Sequence, residues 1–195
     1  TATTEIYTLS LHDALPISLI DELHNALDPK AYRKAVALLA ESEFIDIFGV
    51  ENSLTPAMDL FTKLGYLELT CRLNTDAYLQ QIGAGHLPHG AVAVAFSHSG
   101  SSADTVKALR LAKSHGAKTI AITNAIGAPL ASWADVTLLT GRDSHTIYGN
   151  AIFSRVADTA LVDMLYMSVI LSDYGRFSTA LDESGRMIRD RVFEN

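Results

Sequence analysis

The sequence predicts an α/β domain: a doubly wound, five-stranded parallel sheet of order 2-1-3-4-5, flanked by helices. Three observations point there. Short runs of small and β-branched residues alternate with amphipathic helical segments, and right-handed βαβ crossovers turn such alternation into one parallel sheet with helices on both faces. The run Ala91 to Phe96 is small and apolar without interruption, as a strand buried on both faces must be. Finally, no repeat, low-complexity tract or Gly/Pro linker divides the core of a 195-residue chain whose 48% hydrophobic content suffices for one domain.

Taken in order, Leu19, Ile20, Leu23 and Leu27 recur at helical spacing and predict a connector helix within residues 18–28, ahead of a domain over 29–195. Asp28 and Pro29 then restart the chain. Aspartate caps a helix and proline fits its first position, so a helix is expected from Pro29 to about Glu41 with Tyr32, Ala35, Val36 and Leu39 inward. Phe44 to Phe48 reads as the first strand, followed by the turn Gly49 to Ser53 and a helix through Ala57, Leu60, Phe61 and Leu64. The second strand is expected over Leu67 to Cys71, a helix over about Asp76 to Ile82, and the third strand over Ala91 to Phe96. Val106, Leu109 and Ala112 mark the helix after the third strand, Lys118 to Thr123 the fourth strand and Val136 to Thr140 the fifth. A polar loop from Gly141 to Asn150 leads to a long helix over about Ala151 to Leu171 and a more polar one over Ser178 to Val192.

Composition narrows the function classes. A net charge of −7 argues against this chain gripping nucleic acid by itself, since neutralising phosphates takes a basic face. The single cysteine, Cys71, allows neither an intrachain disulfide nor a thiol-rich metal cluster, which favours a reduced, cytoplasmic setting. No apolar stretch reaches membrane-span length. Residues 1–17 lack the basic start and apolar core of a signal peptide, and residues 7–17 resemble a translated sequencing-library adapter. The genuine sequence is therefore expected to begin near Ser18, with whatever preceded it replaced and lost.

The chemistry concentrates after the third strand, in Ser97-His98-Ser99-Gly100-Ser101-Ser102. The first N–H groups of a helix have no intrahelical partner and favour an anion in front of them. Gly100 permits close backbone approach, and the hydroxyls of Ser97, Ser99, Ser101 and Ser102 can donate to phosphate oxygens. The same residues also make an ordinary turn and N-cap, so position decides between the readings. In a sheet of order 2-1-3-4-5 the ligand crevice lies between the carboxyl ends of strands one and three. Gly49 to Ser53 follows strand one, so two turns converge there. Nucleotide readings are disfavoured, because no Gly-x-Gly-x-x-Gly follows strand one and the serine-rich turn lacks the Gly-Lys-Ser/Thr of a P-loop.

From about Pro29 to Leu171 the chain resembles a sugar isomerase (SIS) domain, through Gly49 to Ser53, Ala57-Met58-Asp59-Leu60, Ser97 to Ser102, Ile122-Thr123-Asn124 and Ala134-Asp135-Val136. Phe48-Gly49-Val50, Ser97-His98-Ser99-Gly100 and Ser154-Arg155-Val156-Ala157 make it similar to the phosphosugar-sensing half of RpiR-type transcriptional regulators. The resemblance implies a phosphorylated sugar as ligand, held near Ser97, Ser99 and Ser102 with Ser53 opposite, and Asn52, Gly100 and His98 as further candidates. It also implies a homodimer or higher homo-oligomer, no cofactor or metal, and DNA contact only through an N-terminal helix-turn-helix domain absent from this chain. Glu51 stands where the pattern usually has glycine; its carboxylate must point away, bond a sugar hydroxyl or signal a different ligand.

Other polar residues admit two readings. His98 either meets the ligand or orients toward a neighbouring helix, and Arg142 and His145 either reach the ligand edge or are solvated loop residues. His86 and His89 lack a nearby third ligand for a metal, Asp59 suits a structural acceptor, and Met164 to Met167 suit helix core or a dimer contact. An aldose–ketose isomerase on the same fold is the alternative function, with Glu51, His98 and His145 as its candidate acid–base groups.

Overall fold

A computed structural model describes residues 17–141 and 154–189. The adapter-like segment before residue 17, Arg142 and His145 of the polar loop, the expected helix start at 151–153 and the chain end at 190–195 lie outside the described residues. The chain order is α1 (17–26), α2 (Pro29–Glu41), β1 (Ile45–Phe48), α3 (Leu54–Tyr66), β2 (Cys71–Leu73), α4 (Ala77–Ala84), β3 (Val92–Phe96), α5 (Ala103–Ser114), β4 (Lys118–Thr123), β5 (Val136–Leu139), α6 (Val156–Ser172) and α7 (Tyr174–Met187).

The strands form one parallel sheet of order β2-β1-β3-β4-β5, as the sequence predicts. Side-chain alternation divides it into two unequal faces. Ile45, Ile47, Val92, Val94, Phe96, Ile120, Ile122, Val136 and Leu138 meet α2, α3 and α6 in the larger core. On the other face Ala93, Ala95 and Ala121 lie against Ala108, Leu109 and Ala112 of α5. Alanine there lets α5 pack closely, while the branched residues opposite fill a deeper layer. Leu23 of α1 is 1% exposed, so this first helix docks into the larger core.

Parallel strands end together, and the chain crosses to β2 on one side of β1 and continues through β4 and β5 on the other side of β3. The reversal falls between β1 and β3. Helix α3 leaves β1 over one face and α5 leaves β3 over the other, so their amino ends approach the gap from opposite sides.

Three boundaries differ from expectation. The second strand is Cys71–Leu73, because Leu67 and Leu69 serve the end of α3 instead. Glu68 sits at φ 59°, its N–H donates to Gly65 O at 3.1 Å, and the N–H of Leu69 reaches back to Leu64 O at 3.2 Å. This is a Schellman cap with glutamate in the glycine place, and the apolar pair Leu64 and Leu69 closes it. Helix α6 starts at Val156 after a turn in which Ser154 Oγ accepts from Val156 N–H at 3.3 Å. Helix α7 starts at Tyr174, earlier than expected, since Asp173 caps it by accepting from Arg176 N–H at 3.1 Å.

The sheet also buries one charge. Asp46 is fully buried on β1 and takes both bonds of the Arg72 fork, at 3.1 and 2.7 Å, from its register partner on β2. Burial pushes the Asp46 carboxyl up, with the Arg72 pairing opposing it.

Candidate functional site

Two turns and one helix end build a crevice of about 380 Å³ at the carboxyl edge of the sheet. On the β1 side, Gly49 is fixed by the buried Gln80 of α4: its N–H donates to Oε1 at 3.3 Å, and Nε2 donates to Gly49 O at 2.7 Å and to Asn74 O at 2.8 Å. A Cβ at Gly49 would lie 3.0 Å from Ser53 O, so the turn is tight enough to want glycine. Glu51 then takes φ 52°, a left-handed conformation costly for a residue with a side chain. That explains in physical terms why glycine suits the position. A 3-10 turn, Glu51–Ser53, delivers Ser53 to α3.

On the β3 side, Ser97 continues the ladder by donating its N–H to Ile122 O at 3.0 Å, and His98 O accepts from Asn124 N–H at 3.0 Å and from Thr123 Oγ1 at 3.1 Å. Gly100, at φ 61°, turns the chain into α5. The first backbone bond of α5 runs from Val106 N–H to Ser102 O at 2.9 Å, which leaves the amides of Ala103, Asp104 and Thr105 ahead of the ladder. Ser102 stands at the N-cap, yet its hydroxyl makes no capping bond; its contact is with Thr105 Oγ1 at 3.4 Å. Ser53 before α3 makes none either.

Glu51, Asn52, Ser53, Ser97, His98, Ser99 and Ser102 all line this crevice. Gly100 does not. A Cβ there would fall 2.3 Å from Ala128 Cβ and 2.8 Å from Thr123 Oγ1, so glycine serves the packing of the turn on β4 and the loop beyond it. Val50, Phe96, Ser101, Asp104, Thr105 and Arg155 complete the lining. Arg155 is the notable addition. It stands at the N-cap of α6 on the carboxyl edge of the sheet, the edge for which the sequence offers Arg142 as either a ligand contact or a solvated loop residue. Its sequence signal is Ser154-Arg155-Val156-Ala157, which carries the family resemblance but no local cue to the crevice.

Behind Arg155, Asp158 is 5% exposed, and its Oδ2 lies 3.9 Å from Arg155 Nε. Burial raises the Asp158 carboxyl above its ordinary range, opposed by a hydrogen bond to Thr140 and by the Arg155 charge. Other polar candidates are structural. Asp59 accepts from Lys63 at 2.7 Å, and Lys63 also reaches Asp163 to tie α3 to α6. Asp135 pairs with Lys113 and caps the amino end of β4 through Thr119 N–H at 2.9 Å and Thr119 Oγ1 at 3.1 Å. His86 is exposed with Nδ1 2.8 Å from Ile82 O. Among the described residues no three His, Cys, Asp or Glu side chains gather as a metal-donor set, and no helix is long and apolar enough to cross a membrane.

Comparison with known proteins agrees with this architecture. The SIS domain family matches residues 38–168. An uncharacterized HTH-type transcriptional regulator of Caldanaerobacter subterraneus is 30% identical over 176 residues, 90% of this chain and 62% of the relative. The HTH-type transcriptional regulator HexR of Escherichia coli is 26% identical over 190 residues, 97% of this chain and 65% of its own length. The chain thus spans less than two thirds of either regulator. Among solved structures, Vibrio vulnificus NanR complexed with ManNAc-6P superposes with a TM-score of 0.88 at 22% identity, covering 96% of this chain and 70% of that one. The sugar isomerase domain of an RpiR transcription factor from Sphaerobacter thermophilus gives 0.80 at 23% identity, covering 89% and 95%.

Proposed function

The chain belongs to the SIS domain family, and from that premise we propose that it is the phosphosugar-sensing part of an RpiR-type transcriptional regulator. The observation that carries the reading is the crevice itself. Serine hydroxyls on both walls and the leading amides of α5 converge on one space where neither N-cap serine is used for capping. A phosphoryl group supplies acceptors to the leading amides of α5, with Ser97, Ser99 and Ser102 on one side of it and Ser53 on the other. Asn52, His98 and the exposed carboxylate of Glu51 face the remainder of the crevice, where a sugar presents hydroxyls. The relatives named as HTH-type regulators support the sensor role, and the NanR neighbour solved with ManNAc-6P supports a phosphorylated sugar as ligand.

In this reading ligand binding biases the arrangement of a cytoplasmic dimer and, through α1, of DNA-binding domains encoded upstream. The bias equals the difference in ligand affinity between arrangements, so a ligand bound equally by both changes nothing. The exposed apolar residues Met164, Met167 and Leu171 on α6 are the surface offered to a second copy; sedimentation that reports only monomer at micromolar concentration would remove the dimer from the scheme.

An isomerase on the same crevice is the second reading, favoured by one observation: Glu51, Asp104 and His98, groups able to move protons, share the lining. Incubating the chain with hexose and pentose phosphates while following binding and product separates the two. Saturable binding without interconversion is the sensor result. Turnover lost in Glu51→Gln would make the protein an enzyme.

A further inference from the structure

Arg155 lines the crevice without a role in the cradle described above. A guanidinium carries five N–H donors and keeps its charge at any physiological pH. Here Nε and Nη1 are buried, and neither has a hydrogen-bond acceptor among the described residues. Asp158, the carboxylate beside it, stands 3.9 Å from Nε, a Coulombic contact beyond hydrogen-bond length, and is itself engaged by Thr140. Charged donors left without acceptors in a buried position are costly, and the side chain is only 12% exposed.

The charge balance of the lining sharpens the point. Glu51 and Asp104 bring two carboxylates, hydroxyls and amides bring only partial charges, and among the described residues Arg155 is the one Lys or Arg in the lining. A phosphate monoester carries a charge of about −1.5 to −2 near pH 7. Without Arg155 the fixed charges that the described lining turns to the ester would be the two carboxylates.

Resting on the phosphosugar reading, we infer that Arg155 is the charged arm of the anion cradle, and that its fork, closing on phosphoryl oxygens, makes the crevice discriminate phosphorylated from neutral sugars. The serines and α5 amides set where the phosphoryl group sits. Arg155 sets that it must be charged.

The test is calorimetry on the 195-residue chain with glucose 6-phosphate, inorganic phosphate and glucose, together with Arg155→Gln, Arg155→Lys and Arg155→Gly. Arg155→Gln should bind both phosphate probes roughly 10- to 100-fold more weakly, with Arg155→Lys in between, and millimolar guanidinium should restore part of the loss in Arg155→Gly. Rescue of that kind separates a missing charge from a damaged fold. The wild-type Arg155 Nε–H resonance, which needs no variant, should shift on adding phosphate. Should the backbone amides of Ala103 and Asp104 shift while Nε–H stays still, or Arg155→Gln bind as wild type does, the inference fails and the sensor reading survives. If the wild type binds neither phosphate probe, both fall together.

Discussion

Two residues in the turns that form the crevice hold backbone conformations that glycine tolerates best, and only one of them is a glycine. Glu51, at φ 52°, carries the cost of a left-handed conformation and places a carboxylate beside an anion cradle. Glu51→Ala removes the carboxylate and keeps the backbone cost, whereas Glu51→Gly removes both. In thermal or urea denaturation Glu51→Gly should therefore be the more stable of the two by about 1 kcal/mol, and both should bind inorganic phosphate at least as tightly as wild type. At Gly100 the constraint is space as well as φ, since a Cβ meets Ala128 at 2.3 Å. Gly100→Ala should cost roughly 3 kcal/mol in denaturation, while Gly116→Ala, at φ 87° with nothing within 4 Å, should cost only about 1 kcal/mol. Equal losses would mean that packing around Gly100 is slack. The sequence displayed both turns, but the purpose of Gly100 was hidden in it, because Thr123 and Ala128 reach it only through the β3–β4 pairing.

Helix ends distinguish structural caps from ligand-directed ones. Asp76 accepts from Leu79 N–H at 2.9 Å and caps α4, so Asp76→Ala should lose about 1 kcal/mol. Ser102 occupies the same place on α5 without a capping bond, and Ser102→Ala should lose less than about 0.5 kcal/mol of intrinsic stability while weakening phosphate binding. A full capping loss for Ser102 in urea denaturation would contradict the open-ended helix. Asp135, which ties α5 to the β4–β5 edge, gives a pH signature. Burial works to raise its carboxyl, but bonds from Lys113 and Thr119 outweigh it and hold the group below its ordinary 3.8. A depressed folded pKa stabilises the native state above the unfolded value and loses that contribution as pH falls from about 3.8 through the folded value. Denaturation of Asp135→Asn should accordingly show a shallower acid loss over that interval; parallel curves for the two proteins would exclude Asp135 as a source of acid lability. At this scale the strands and most helices were legible from periodicity, the fourth strand to the residue. The second strand was not, because Leu67 and Leu69 look like strand residues and are buried as such residues would be, yet Glu68 accepts a left-handed turn that composition does not announce. Arg72 and Asp46 escaped for a related reason: their charge is satisfied only across the β1–β2 register.

Across the whole molecule, the reversal of strand order places two turns, distant in sequence, on opposite walls of one opening, and α6 brings Arg155 to the same opening. Topology alone located the crevice from the sequence. The third wall was out of reach, since nothing local in Ser154-Arg155-Val156-Ala157 says where α6 begins relative to β1 and β3. In the proposed sensor a sugar phosphate seats against the leading amides of α5. The most direct measurement of that seating is a proton–nitrogen NMR titration of the chain with whichever sugar phosphate raises the melting temperature most. The largest shifts should fall at Ser53, Ala103, Asp104 and Thr105, with Gly116 at the other end of α5 unmoved. Shifts gathered around Gly116 or the amino ends of the strands, or none at saturating ligand, would contradict it.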